Sequence, residues 1–110
     1  MAIYITQGNY PLQSVKGMVE KPEDRMNAVR GLMESVDSTL LQYYVTTGEY
    51  DFMVIAETDN ITNMMAGLMV AGSSGGATNL KTIEAITTQD AKTAMEKASA
   101  VAAGFKAAGQ

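Results

Sequence analysis

The chain contains no cysteine and no histidine, and each absence removes a class of chemistry. Without cysteine there is no disulfide, no thiolate metal site and no cysteine nucleophile. Without histidine there is no Ser-His-Asp triad, no imidazole base and none of the commonest transition-metal ligand. Positive charge is scarce: 8 lysines and arginines stand against 12 aspartates and glutamates, for a net charge of −4. The basic residues are scattered, so no basic stripe is available to track a phosphate backbone, and nucleic acid is not an expected partner. Long apolar runs are missing too. The opening Met1-Ala2-Ile3-Tyr4-Ile5-Thr6 lacks the basic region and apolar core of a signal peptide. The continuous apolar part of the middle segment, Met64 to Gly72, is too short to span a bilayer. A cytoplasmic protein without a membrane partner is the expectation. Glu49, Asp51, Glu57 and Asp59 carry oxygen ligands, but they string out along a strand rather than converge in a loop, so neither a metal nor a cofactor is expected.

What is present is one domain's worth of chain, 110 residues, with clear periodicity. Ile3 to Gln7 is β-prone and is closed by Gly8-Asn9-Tyr10-Pro11. Leu12, Val15, Met18 and Val19 recur at helical spacing, and after Pro22 so do Met26, Val29, Met33 and Val36. Pro22 suits the first turn of that second helix, with Glu23 and Asp24 near its positive end. From Thr39 to Glu57 two β-rich arms flank a tight turn at Gly48-Glu49-Tyr50-Asp51, a hairpin pattern. Asp59 or Asn60 is placed to cap a helix with a buried stripe of Ile61, Met64, Met65, Leu68 and Met69, ending in Gly72 to Gly76. A strand over about Ala77 to Thr87 follows. Thr88 or Asp90 then caps an alanine-rich helix whose narrow stripe, Met95, Ala98, Val101, Ala102 and Phe105, must pack on something.

This order predicts an α+β fold, the ferredoxin-like βαββαβ antiparallel sheet with an added C-terminal helix. An isolated sheet of that kind has one wet face and should alternate apolar with polar residues. Its central arms do not. Phe52, Val54 and Ala56 point one way while Met53 and Ile55 point the other. On the preceding arm Leu41, Tyr43 and Val45 are expected on one face, with Leu40, Gln42 and Tyr44 opposite. Helices in so small a domain cover one face, so the second is expected to meet another copy of the sheet in a homodimer or higher homo-oligomer.

The segments Tyr4 to Tyr10, Asp24 to Arg30, Tyr43 to Phe52 and the threonine-rich strand around Thr82 together resemble the GYD-domain family, within the dimeric α+β barrel group. The resemblance spans roughly residues 2 to 90, and only the hairpin motif is specific. It implies residues 1–90 as a ferredoxin-like domain of GYD type, with 91–110 as an amphipathic helix and tail of the same domain. Related barrels include cofactor-free monooxygenases of aromatic compounds, small lyases and isomerases, and effector-binding modules, so the fold leaves the activity open.

Among the hairpin residues, Glu49 and Asp51 project to one face if the backbone is extended, beside Met53. A carboxylate among apolar groups serves as a general acid or base, whereas a turn carboxylate ordinarily accepts backbone hydrogen bonds. Tyr50 is expected on the other face, with its hydroxyl at a cleft between sheet and helices or its ring in the core. Tyr50 and Asp51 are the candidate catalytic pair. Tyr44, Glu49, Arg25 and Tyr10 are the candidate ligand-binding residues, Arg25 either anchoring a carboxylate or pairing with Asp51 or Glu49. The methionines fill an irregular core or line an adaptable pocket. Ser73-Ser74-Gly75-Gly76 lacks the lysine and following helix of a phosphate cradle and reads as a flexible connection. Three functions stay open: a cofactor-independent enzyme on a small apolar or aromatic molecule, a noncatalytic sensory module using the same cleft, and a structural self-assembly unit.

Overall fold

A computed structural model describes all of residues 1–110. Four strands and four helices run in the order β1 (Ala2–Asn9), α1 (Leu12–Glu20), α2 (Met26–Ser35), β2 (Thr39–Val45), β3 (Phe52–Thr58), α3 (Ile61–Ser73), β4 (Thr78–Ala85) and α4 (Thr88–Val101). The strands form one antiparallel sheet in the order β2-β3-β1-β4, the ferredoxin-like arrangement. No helix is long and apolar enough to cross a membrane.

The sheet is covered on one side. Tyr4 and Thr6 of β1, Phe52, Val54 and Ala56 of β3, and Leu40 of β2 face the helices and are buried with Met33 of α2 and Met64 of α3. The alternation on β3 matches the sequence pattern residue by residue. On β2 it does not, because the register with β3 shifts between Leu40 and Gln42. Leu41 is the extra residue of this bulge, so Leu40 and Tyr43 both face the helices while Gln42 and Tyr44 lie across from Ile55 and Met53 on the open side.

Helix boundaries follow their caps. Asn60 accepts from the Thr62 amide at 2.9 Å and starts α3. The fourth helix is capped by Thr87, which accepts from the Asp90 amide at 3.0 Å, so the cap lies one residue before Thr88. Helix α2 begins only at Met26, four residues beyond Pro22, because Asp24 accepts from the Met26 amide and fixes the start there. The expected stripe of α3 splits. Met64 and Gly67 are buried and Leu68 is partly so, whereas Ile61, Met65 and Met69 are exposed at spacing of four on the outer side. Consecutive residues cannot share one face of a helix, so an apolar pair such as Met64-Met65 always leaves one member outside.

Helix α4 meets no face of its own protomer. None of its residues is buried, and every residue from Lys92 onward is exposed. The radius of gyration is 18.1 Å and the longest extent 60 Å, where a compact chain near 100 residues has a radius of about 13 Å. The stripe at Met95, Val101 and Phe105 therefore finds no packing partner within the protomer.

Candidate functional site

Helix α1 has no buried residue. It is tied instead at one end, where Ser14 Oγ donates to the Gly76 carbonyl at 3.0 Å and Gln13 Nε2 to the Gly75 carbonyl at 3.1 Å. The Ser73–Gly76 connection is thus a tether for α1. Between α1, α2, α3 and the sheet lies a cavity of about 610 Å³. Its walls are apolar, with Met18 on α1, Val29 and Met33 on α2, Met64 and Leu68 on α3, and Phe52 and Val54 on β3. Tyr10, Tyr43, Glu23 and Arg25 come together at one end, and Lys21, Ser14, Ser74 and Thr6 are the other polar lining residues. A smaller space of about 180 Å³ adjoins that end and shares Tyr10, Tyr43, Glu23 and Arg25.

The phenols are built into an aromatic cluster. The Tyr10 and Phe52 rings are 5.0 Å apart, and Tyr43 meets Phe52 edge-on at 6.4 Å. Phe52 lies directly over Gly8, where an added Cβ would sit 2.7 Å from Cζ of Phe52, so this strand position has no room for a side chain. The Tyr10 and Tyr43 hydroxyls are hydrogen-bonded to each other. Burial, then the Tyr43 hydrogen bond, push the Tyr10 phenol above its ordinary pKa, with Arg25 opposing. At neutral pH the Tyr10 phenol is held protonated, and a pair of hydroxyls that share one hydrogen bond has donor capacity left to offer a third group.

Arg25 stands at the cavity mouth and pairs with Glu23 at 3.1 Å, not with Asp51 or Glu49. Both side chains of the pair are about half exposed, so the ion pair is weak and exchangeable. Thr6, a cavity residue on β1, shares a hydrogen bond with Thr82 at 2.8 Å and is already satisfied.

The Gly48-Glu49-Tyr50-Asp51 motif sits beside this mouth rather than in it. Its loop spans residues 46–51, outside both strands, so the two-residue alternation assumed for extended backbone does not hold there. Gly48 has φ +96, which a residue with a Cβ adopts only with strain. Thr46 closes the loop, its amide donating to the Asp51 carbonyl and its hydroxyl to the Tyr50 carbonyl, each at 2.8 Å. Asp51 Oδ2 accepts from the Tyr10 amide at 2.9 Å and from Asn9 Nδ2 at 3.2 Å, while the Asp51 amide donates to the Gly8 carbonyl at 2.8 Å. Asn9 Nδ2 also reaches the Glu49 carbonyl at 3.1 Å. The hairpin motif and the Gly8-Asn9-Tyr10 motif thus form one hydrogen-bonded knot, with Tyr10 presented to the cavity from it.

Of the sequence-derived candidates, Tyr10 and Arg25 line the cavity. Tyr50 and Asp51 do not, Glu49 is exposed, and Tyr44 is on the open side of the sheet, 51% exposed. Tyr43 stands beside Tyr10, on the face with Leu40 from which strict alternation separates it. Its signal is the three-residue step from Leu40, legible only once the bulge is known. Met18 was legible as part of the apolar stripe of α1, whereas Lys21 carried no distinguishing signal. No group of three or more Asp or Glu side chains converges as a metal ligand set would.

The open side carries a row of isoleucines, Ile55, Ile5 and Ile83, directly opposite one another on β3, β1 and β4, with Met53 and Tyr44 beside them. Ile83 is 61% exposed.

Comparison with known proteins places the chain in a family. The GYD domain matches residues 4–95, and the chain belongs to the GYD-domain family. Among solved structures, the one described as "crystal structure of FFRP-DM1" is similar at TM-score 0.53 and 20% identity, over 78% of this chain and 100% of that one. The protein TTHA0845 from Thermus thermophilus is similar at TM-score 0.51 and 14% identity, over 79% of this chain and 95% of that one. These likenesses carry the fold alone. No curated protein matches the chain.

Proposed function

We propose that this GYD-domain protein is a homodimer that binds a small, largely apolar or aromatic molecule in the cleft between sheet and helices, without a cofactor. The observation that carries the reading is the cavity of about 610 Å³, apolar along its walls and polar at one end. Small-molecule sites occupy roughly 300–1,000 Å³ and have this pattern of apolar lining with few convergent polar groups. In this reading the molecule lies against Phe52, Val54 and the methionines, and its polar end meets the Tyr10 and Tyr43 hydroxyls. Arg25 exchanges Glu23 for a carboxylate or other acceptor on the ligand. A phenol held protonated is a hydrogen-bond donor and a poor base, which favours recognition over proton abstraction at Tyr10.

A catalytic version assigns proton transfer to Tyr50 and Asp51, beside the mouth of the cleft, and gives up Tyr44 and Glu49 as ligand contacts. What favours it is the contact of the Asp51 carboxylate with the Tyr10 amide, which links the hairpin to the mouth. An Asp51→Asn variant that binds and turns over normally removes that version.

The methionines supply the test of binding. With ¹³C-methyl methionine labelling, titration with indole or naphthalene is expected to shift the Met18, Met33 and Met64 methyls, which face the cleft, and to leave the exposed Met65 and Met69 in place. Tyr10→Phe is expected to weaken phenol or indole binding by roughly the net value of one hydrogen bond, about 0.5–1.5 kcal/mol. Shifts confined to the exposed methyls, or none at millimolar probe, overturn the binding reading.

The homodimer rests on the open side of the sheet. Fully burying an exposed isoleucine is worth about 1.5–3 kcal/mol, and in the protomer Ile83 is exposed while Ile5 and Ile55 are only half buried. A second copy meeting it face to face would bury all three twice over.

A further inference from the structure

Helix α4 and the outer side of α3 are apolar surfaces left over after both the cleft and the open sheet face are accounted for. On α4, Ala91, Met95 and Ala98 are spaced four and three apart, the step of a helix-packing seam; Val101 ends the helix, and Phe105 lies beyond it in extended backbone. Met95, Val101 and Phe105 are 66%, 69% and 79% exposed. On α3, Ile61, Met65 and Met69 form a stripe at spacing of four, and the helix contains no charged residue over Ile61–Ser73. A helix that is apolar all round belongs in contact with protein on all sides.

We infer that α4 is an exchange arm whose apolar seam docks on a second copy of this chain, along the outer stripe of α3. The inference rests on the self-association proposed above and gives it a second, separate surface.

Three observations select a second copy as the occupant. The first is area. The protomer exposes 7741 Å², whereas a compact folded chain of 11.7 kDa exposes about 5,900 Å². The excess is more than the roughly 800 Å² per partner of a standard interface, so one such contact does not absorb it. The second is charge. Residues 88–110 hold three lysines against Asp90 and Glu96, a balance of +1, while residues 1–87 hold five basic against ten acidic side chains, a balance of −5. The arm is thus attracted to the body of another copy, where Glu57 and Asp59 precede α3. The third is length. From Ile61 to Met69 on α3 and from Ala91 to Ala98 on α4 the helices rise about 12 and 10.5 Å, so the stripe and the seam are of similar length.

The lack of native cysteine makes the test clean. Chains carrying Met95→Cys are mixed with chains carrying Met65→Cys, both exposed positions, and oxidised. Expected is a disulfide-linked product joining the two variants, present in the mixture and absent from either variant alone. Formation only of a Met95→Cys homodimer, or no linked product from chains that remain folded by circular dichroism, overturns the docking on α3. The two dimer surfaces fail separately. A solution dimer without the cross-link retains the sheet contact and loses the arm. A cross-link in chains whose mass is unaffected by Ile55→Lys retains the arm and loses the sheet contact.

Discussion

On β3, Phe52, Val54 and Ala56 are 6%, 7% and 0% exposed, while Met53 and Ile55, between them in sequence, are only half buried. The two sides of this strand are equally apolar and differ in what lies opposite. Helices α2 and α3 roof one side over a cleft, and the other meets solvent in the protomer. The same contrast recurs on α3, where Met64 is 1% exposed and its neighbour Met65 49%. Hydrophobicity decides that a side chain needs cover, and topology decides whether the chain itself provides it.

The largest stability effect is expected on the covered side. Met64→Ala is expected to cost about 2–5 kcal/mol in urea unfolding, by the same amount at every chain concentration. Ile55→Ala on the open side is expected to act differently, with a loss that grows as chain concentration rises, because in the proposed dimer its burial is completed only by the second copy. Equal, concentration-independent losses at the two sites would erase the distinction between the sides.

The next effect lies at the knot joining the hairpin to β1. Asp51→Ala removes a charged acceptor from the Tyr10 amide and from Asn9, and a loss of about 1.5–3 kcal/mol is expected for such bonds, toward the lower end because the site is only partly buried. Asp51→Asn retains an acceptor and is expected to lose less. If both variants unfold with the wild-type midpoint, the knot does not hold the Tyr10 side of the cleft in place.

Caps separate the body from the arm. Asn60→Ala is expected to lower the global unfolding free energy by about 1 kcal/mol, since α3 packs into the core. Thr87→Ala, with the same chemistry, is expected to reduce far-UV helical signal from α4 with little change in the midpoint when the chain is dilute. The smallest effect is at high pH. Tyr10 has a folded pKa raised above its unfolded value, so its contribution is complete below about pH 10 and is lost as pH rises beyond it, when the unfolded chain ionises first. Tyr10→Phe is expected to flatten that alkaline decline, measured by the urea midpoint between neutral and strongly alkaline pH.

Much of the architecture was legible in the residues. The alternation on β3, the helical spacing in α1 and α2, and the Asn60 cap are local signals, and local signals set elements. The β2 faces were not legible, because the Leu41 bulge depends on pairing with β3 and leaves no mark in β2 itself. The cleft was legible only in part. Tyr10 and Arg25 belong to it, but Tyr43 enters through the bulge. Tyr50 lies outside it because residues 46–51 form a loop and not a continuation of the strand. The hydrogen bond that joins Asp51 to Tyr10 connects residues 41 apart in sequence, a relation that no local pattern encodes.

Light scattering at micromolar concentration, on the wild-type chain and on Ile55→Lys, tests the fate of the open side most directly. Expected is a mass of at least twice 11.7 kDa for the wild type and a lower mass for the folded variant, which keeps only the association that the arm supplies. A wild-type mass of a single chain, or a variant that stays dimeric without the arm cross-link, contradicts the covering of this sheet face by a second copy.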